Sequence, residues 1–510
     1  MSSPDTATPT APASPSRADS LPHYRLFIAG RWREGSGGRR FDAVNPYTAE
    51  RWATVAQADP EDVQEAVAAA QAAFDGPWGR ISGYERSRMM LRLADLLEAD
   101  AARMGRLEST DNGKIIRETQ AQMVLAARQY RFFAGYADKL FGQQIPLDAR
   151  DTFDYATQEA LGVVALITAW NSPMGLLANK LAPALATGNC VVIKPSEHAS
   201  VTTLEFCRFV EQAGFPAGVV NVVCGAAEVG RALVQGGVAK VSFTGSAAVG
   251  REIAALAGRQ LLPVTLELGG KSPNIVFADA DYDRAAVGAL AGIFGAAGQT
   301  CIAGSRLLVE RPIYARMVEA LATRARAVRL GDPLDPATDM GTAANAPQFE
   351  RILGCIERAR AEGARVVAGG GPARGPGLER GFFIEPTVFA DVDNAMSLAR
   401  EEVFGPVLAV IPFEGEEEAL RIANDTPYGL AAGVWTQNLS RALRMTRGIR
   451  AGQVWVNTYR AMAVQAPFGG FKQSGFGREK GEAALAEFLA PKNVMIDFSN
   501  DVRDPFAMRT

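Results

Sequence analysis

The chain has 510 residues, 48% of them apolar and 8% aromatic, too long for one small core and ample for two or three packed domains. Its 53 Lys and Arg against 56 Asp and Glu leave a net charge of -3 with no long run of either sign. That balance speaks against nucleic acid or an anionic membrane as partner and leaves small molecules. The five cysteines, Cys190, Cys207, Cys224, Cys301 and Cys355, stand singly without CxxC pairs, as expected of a reducing compartment. No apolar run reaches the length of a membrane span and no signal-peptide layout opens the chain, so the expected location is the cytoplasm.

Residues 1–20, rich in Pro, Ser, Thr and Ala, have almost nothing to bury and are expected to form a disordered tail. Arg17 against Asp5 and Asp19 does not match an Arg-rich transit peptide. From Asp59 the pattern turns helical: Asp59 caps, Pro60 suits a first turn, and Val63, Ala66, Val67, Ala70 and Phe74 recur at helical spacing. A second such stretch covers Glu85 to Glu108. Beyond Leu161, short β-branched runs (LGVVALIT, NCVVIKP, GVVNVVCG, AKVSFTGS, VTLELGG, NIVFADAD) alternate with Gly and small-residue helices. This predicts βαβ units on a parallel sheet. After Cys301 the alternation resumes, with a helix from Tyr314 to Val328, strands RVVAGG, VLAVIPF and GQVWVN, and a helix EEEALRIAN. Two α/β halves follow. Segments around Leu147 to Leu161 and Asn493 to Phe498 resemble strands outside those halves, whose exposed edges need a partner. GGGPARGPG near residue 370 is a surface turn, and no solenoid repeat is present.

Cys301 lies in GAAGQTCIAGSR, where missing side chains let a ligand approach the backbone. An isolated cysteine is more often a small buried hydrophobe, and that remains the reading for the other four. With only His23 and His198 in the chain, Cys-His catalysis is poorly supplied. A carboxylate can serve as base instead. Glu267 in LELGGKSP ends an apolar strand, where burial can raise its pKa, or it is a plain strand-end surface residue. Asn171 in TAWNSP follows LGVVALI at a strand's carboxyl end, placed either to stabilise an oxyanion or to make an Asx turn before Pro173. KVSFTGSAAVG forms a strand, a glycine loop and a helix start whose free amides near Ser246 suit a phosphate. No G-x-G-x-x-G marks a strand-to-helix junction, so an ordinary Rossmann site is not indicated.

Taken together, GQTCIAGSR, LELGGKSPNIVF, TAWNSP, LAPALATGNCVVIKPSE, FTGS, EEVFGPV and PFGGFKQSGFGRE resemble the aldehyde dehydrogenase superfamily in order and spacing, from about Leu26 to Asp497. The resemblance implies an α/β fold of two doubly wound parallel-sheet domains with a small bridging β segment. Dinucleotide binding would fall to residues 21–142 and 162–267, catalysis to 268–485, and oligomerisation, as a homodimer or homotetramer, to 143–161 and 486–505. It implies Cys301 as nucleophile, Asn171 and the Cys301 N–H as oxyanion hole, and Glu267 as the base that hydrolyses a thioester. Cofactor contacts would come from Ile167, Thr168, Trp170, Lys194, Glu197, Gly225, Gly245, Ser246, Leu268, Glu402 and Phe404, with no metal. An acid at Glu197 would bond a free 2'-hydroxyl and repel a 2'-phosphate, which favours NAD over NADP.

Where relatives acting on small aliphatic or retinoid aldehydes tend to carry bulky residues, this chain has Ser172, Gly175, Asn179 and Gly295, so a wider, more polar tunnel is expected. Arg460 in VNTYRAMAV falls on the loop at the substrate mouth and points to a polar or acidic aldehyde, or is a solvated loop arginine. Two other enzyme classes compete: a CoA-acylating semialdehyde dehydrogenase, against which Glu267 speaks, and a cysteine ester hydrolase, which would leave Lys194, Glu197, Ser246 and Glu402 idle. A non-catalytic protein on the same fold is a third reading, against which intact Cys301, Asn171 and Glu267 speak.

Overall fold

A computed structural model describes residues 21–500 together with 502 and 506. The expected tail at 1–20 lies outside the described residues, as do 501 and 503–505 at the end of the bridging segment. Five consecutive parallel strands form the centre of an eight-stranded sheet, in the order Val264–Glu267, Lys240–Thr244, Val163–Ile167, Cys190–Lys194 and Val220–Val222. Each is short and almost wholly buried, as strands covered on both faces are. Antiparallel strands close both ends: Leu26–Ile28 followed by Arg31–Arg33 on one side, and Gly475–Phe476 on the other.

The second sheet has seven strands, parallel except for Arg365–Ala368 at one edge. Its side chains alternate between two cores, as the pleat dictates. Val276, Leu307, Val309, Leu408 and Val410 pack with the helices Tyr282–Phe294 and Arg311–Arg326. Ile275, Phe277, Leu308, Ala409 and Ile411 pack on the other face with Ala346–Ala361 and Gly415–Asn424. Helices thus cover both faces, as expected for a doubly wound half. A third, antiparallel sheet of Gln143–Ile145, Thr152–Ala160 and Leu489–Asp497 stands apart from both.

Three local features differ from the expectation. The helix expected from Glu85 to Glu108 begins earlier, at Gly83, because Ser82 and Glu85 form a reciprocal cap: Glu85 N–H donates to Ser82 Oγ at 3.2 Å and Ser82 N–H to Glu85 Oε2 at 2.8 Å. It also breaks at Asp100, whose φ of -107° and ψ of 17° separate Gly83–Ala99 from Ala101–Asn112. The Asp100 carboxylate takes a bond from Arg103 Nε at 2.7 Å. Third, Gly475–Phe476 lies in the stretch expected to belong to the second half, yet pairs with Val264–Glu267 in the first sheet. The chain therefore returns to the first half at the strand that carries Glu267.

Arg306 locks the second half. Fully buried, it donates to the carbonyls of Lys271, Ile422 and Ala423 and to Asn394 Oδ1, at 2.9 to 3.0 Å. Truncation to Ala leaves these acceptors dry and unpaired, so Arg306→Ala is expected to lose about 3 to 4 kcal/mol of stability in chemical denaturation. Loss below about 1 kcal/mol would show that the network is dispensable.

Candidate active site

Asn171 sits just past the strand Val163–Ile167 and ahead of the helix Pro173–Ala186. Its Nδ2 donates to the Gln299 carbonyl at 2.9 Å, tying it to the loop that carries Cys301. One of its two amide hydrogens is therefore spent on positioning and one remains. The Gln299 side chain is clamped in turn, donating to Thr342 O at 3.0 Å and accepting from Ala344 N at 2.9 Å. Before it, Ala296 and Ala297 hold φ near +50°, a strained geometry for alanine. Glu118 Oε1 fixes this turn by accepting from Ala296 N at 3.1 Å. Cys301 itself is partly buried, and its carbonyl lies 2.5 Å from where a Cβ on Gly270 would stand, so only glycine fits at 270.

Glu267 closes its strand at 4% exposure, and neither carboxylate oxygen has a hydrogen-bond partner. Burial first, then the Glu479 charge, pushes its pKa well above the carboxylate range, against the pull of Lys180 and Arg478. The Cys301 thiol is pushed up to about 12 by burial and by the carboxylates of Glu402, Glu267 and Glu479. Glu402 is raised to about 7 by burial, opposed by the Gly270 N–H that it accepts at 2.9 Å.

A cavity of about 190 Å³ ends at Cys301, lined among others by Asn171, Ser172, Gly175, Asn179, Arg460 and Lys480. Gly295 does not widen it as expected. A Cβ there would collide with the Arg460 guanidinium, which occupies that space and donates to Ala291 O at 3.2 Å. Arg460 also stands 3.9 Å from Glu118. Thus the loop arginine is built into the cavity wall.

Trp170, the neighbour of Asn171, lines a separate cleft of about 500 Å³ with Ile167, Thr168, Lys194, Glu197, Gly245 and Ser246. Seven of the expected cofactor residues therefore converge. Gly225, Leu268, Glu402 and Phe404 do not line this cleft; Glu402 borders a second depression of about 630 Å³, and Phe404 packs edge-on against Trp170 at 5.3 Å between ring centroids. The cleft fits a phosphate-bearing dinucleotide. Thr168 and Thr244 offer buried hydroxyls without partners, and the helix Ala247–Gly258 opens its N-terminal amides there behind the Ser246 cap.

Sequence reasoning missed several polar groups. Lys180, fully buried in an apolar helix, pairs with Glu479 beside Glu267 and donates to Ser242 Oγ at 3.2 Å. Lys114 reaches Ser172 Oγ at 2.7 Å and Gln122 Oε1 at 3.1 Å from below the cavity. A lysine inside the run LLANKLAPALA is the signal that would have exposed the first. Lys114, beyond a helix end, gave none.

The Aldehyde dehydrogenase family model matches residues 32–494. A (Z)-2-((N-methylformamido)methylene)-5-hydroxybutyrolactone dehydrogenase of Acinetobacter baylyi is 44% identical over 96% of this chain and 100% of its own length. A betaine aldehyde dehydrogenase of Brucella melitensis is 44% identical over 93% of this chain and 98% of its own. Among solved structures, betaine aldehyde dehydrogenase from Staphylococcus aureus in complex with NAD+ superposes with a TM-score of 0.94 at 38% identity, covering 96% of this chain and 98% of that one.

The Lys180–Glu479 pair yields a direct test of the site's frame. Lys180→Met strands a buried carboxylate and is expected to cost about 3 to 5 kcal/mol in denaturation, whereas adding Glu479→Leu should recover most of that loss. A double variant no more stable than the single would contradict the pairing.

Proposed function

The chain belongs to the aldehyde dehydrogenase family, and from that premise we propose that it oxidises a polar or acidic aldehyde to the carboxylate, with NAD as hydride acceptor, through a thioester on Cys301. The observation that carries this reading is that Cys301 and Asn171 line one cavity, with buried, unpartnered Glu267 near enough for its charge to oppose ionisation of the Cys301 thiol. The Cys301 sulfur attacks the carbonyl carbon, and the oxygen gathers charge facing the free Asn171 N–H and the Cys301 backbone N–H. A bound nicotinamide supplies the acceptor for the hydride that leaves as the C=O bond re-forms. Glu267 then removes a proton from water, whose oxygen attacks the thioester and releases the acid and the cysteine. Its raised pKa makes it a strong base once ionised.

Lys194 and Glu197, 3.4 Å apart, face the cleft where the adenosine ribose would lie. The Glu197 carboxylate favours a 2'-hydroxyl over a 2'-phosphate, hence NAD over NADP. Gly245 and Ser246 would serve the pyrophosphate, Ile167, Thr168 and Trp170 the cleft walls, and Glu402 and Phe404 the nicotinamide ribose, while Gly225 and Leu268 stand outside the lining.

The substrate class follows from charge. Two basic side chains, Arg460 and Lys480, line the cavity, and no acidic one does. Such a wall repels a quaternary ammonium, which aromatic cages bind, and suits a carboxylate. A 5-hydroxybutyrolactone, the group in the Acinetobacter enzyme's name, is the ring-closed form of a 4-oxo acid.

Residues 21–142 with 162–267 are assigned to dinucleotide binding, 268–485 to catalysis, and 143–161 with 486–505 to assembly. The outer sheet presents exposed Phe153, Met495 and Ile496 on long strands, which supports a homodimer or homotetramer. No helix among the described residues is long and apolar enough to cross a membrane, and all five cysteines are free; cytoplasm is the location proposed.

The test is reduced-cofactor formation by purified protein on acidic, neutral and quaternary-ammonium aldehydes without CoA. Cys301→Ala should abolish product, and Glu267→Gln should keep a first-turnover burst while losing about 100-fold in steady state. Arg460→Ala should raise KM for carboxylate-bearing aldehydes about tenfold and leave neutral ones unchanged. Equal KM across the panel in wild type and Arg460→Ala would overturn the acidic class. Because a carboxylate accepts a ribose hydroxyl more strongly than a neutral carboxyl does, and burial pushes the Glu402 pKa up to about 7, dinucleotide affinity should rise as pH increases through 7, and Glu402→Gln should flatten that titration.

A further inference from the structure

The cavity that ends at Cys301 contains a cation, Lys480, to which the chemical steps above assign no part. Lys480 lines it together with Cys301 and Phe468, at 7% exposure. Its Nζ stands 5.6 Å from the Phe468 ring centroid, while the adjacent carboxylate, Glu479, is turned away into the pair with Lys180. A charge so enclosed, with no ion pair to it among the described residues, is costly to keep.

The backbone adds a second cost at the same residue. Lys480 has φ +60°, a conformation that side chains with a Cβ rarely adopt. Two bonds between Glu479 and Phe468, of 2.6 and 2.7 Å, and one from Gly481 N to Val464 O at 2.9 Å hold it there. That geometry sends Glu479 to Lys180 and Lys480 to the cavity. Strain combined with an enclosed charge at a site wall marks a residue kept for function.

We propose that Lys480 is an electrostatic positioning residue for the nucleophile: its ammonium, held in the cavity wall beside Cys301, stabilises the thiolate that attacks the aldehyde. The proposal rests on Cys301 being that nucleophile. The thiol proton passes to solvent, and Lys480 keeps its own. The surroundings of Cys301 make such a cation necessary. Burial and three carboxylates, Glu402, Glu267 and Glu479, all oppose the thiolate, and Lys480 acts in its favour. Burial lowers the Lys480 pKa from the usual lysine value, and Glu479, Cys301 and Glu267 act against that and favour its charged form. Arg460, the other basic group lining the cavity, is drawn toward Ala291 and Glu118, and neighbouring Tyr459, outside the lining, donates its hydroxyl to Ile302 O at 3.0 Å.

The experiment is alkylation of the full-length protein by neutral iodoacetamide near pH 8, with the Cys301 peptide followed by mass spectrometry. Lys480→Met should label about tenfold more slowly than wild type, one pKa unit of lost thiolate, and Lys480→Arg should restore most of the rate. The buried cysteines Cys190, Cys207, Cys224 and Cys355 report unfolding if they label, in which case Lys480→Gln takes the place of Met. Unchanged labelling of Cys301 in folded Lys480→Met or Lys480→Gln would overturn the proposal. So would a loss confined to anionic iodoacetate, which would make Lys480 an anion-steering group instead. Failure of the nucleophile assignment has a different signature: Cys301→Ala would retain full aldehyde oxidation.

Discussion

Desolvation is the constraint on which this active site depends. Cys301, Glu267 and Glu402 are enclosed where two α/β halves meet, and burial is the largest cause of the upward pKa shift of each. In water a carboxyl and a thiol would be an indifferent pair. Enclosed, the carboxyl becomes a base strong enough to take a proton from water, while the thiol becomes reluctant to ionise. The site must therefore supply charge of the opposite sign, and it does so by two routes: Lys180, paired with Glu479 behind Glu267, and Lys480, facing the cavity.

The scaffold that permits this enclosure is built from strand ends. Val163–Ile167 delivers Asn171 and Val264–Glu267 delivers the proposed base, on parallel strands separated only by Lys240–Thr244. The returning strand Gly475–Phe476 seals the far side of Glu267 and brings Glu479 and Lys480 with it. A strained turn at Ala296 and Ala297, fixed by Glu118, then carries Cys301 across from the second half. Asn171, Glu267, Cys301 and Glu479 come from separate stretches of the sequence and are brought together by the strand and loop framework.

Strands at 163–167, 190–194, 240–244 and 407–413 were legible because each is a short β-branched run bounded by glycine or proline. The positions of Glu267 and Asn171 at strand ends were legible for the same reason. Lys180 and Glu479, 299 residues apart, meet only through tertiary packing, so no local pattern foretold their pair. Gly295 was read as added room, yet Arg460 fills it from 165 positions downstream, a substitution of one side chain for another that spacing cannot reveal. The split at Asp100 lies in that residue's own backbone, at φ -107° and ψ 17°, which helical spacing of the apolar residues does not reveal.

The central claim is that an aldehyde is carried as a thioester on Cys301. Intact-protein and peptide mass spectrometry of Glu267→Gln, quenched in acid after mixing with NAD and an acidic aldehyde, tests it most directly. The account predicts an acyl adduct on the Cys301 peptide, absent when NAD is omitted and released by hydroxylamine. An unmodified Cys301 in a variant that has completed hydride transfer, or an adduct on another residue, would contradict it.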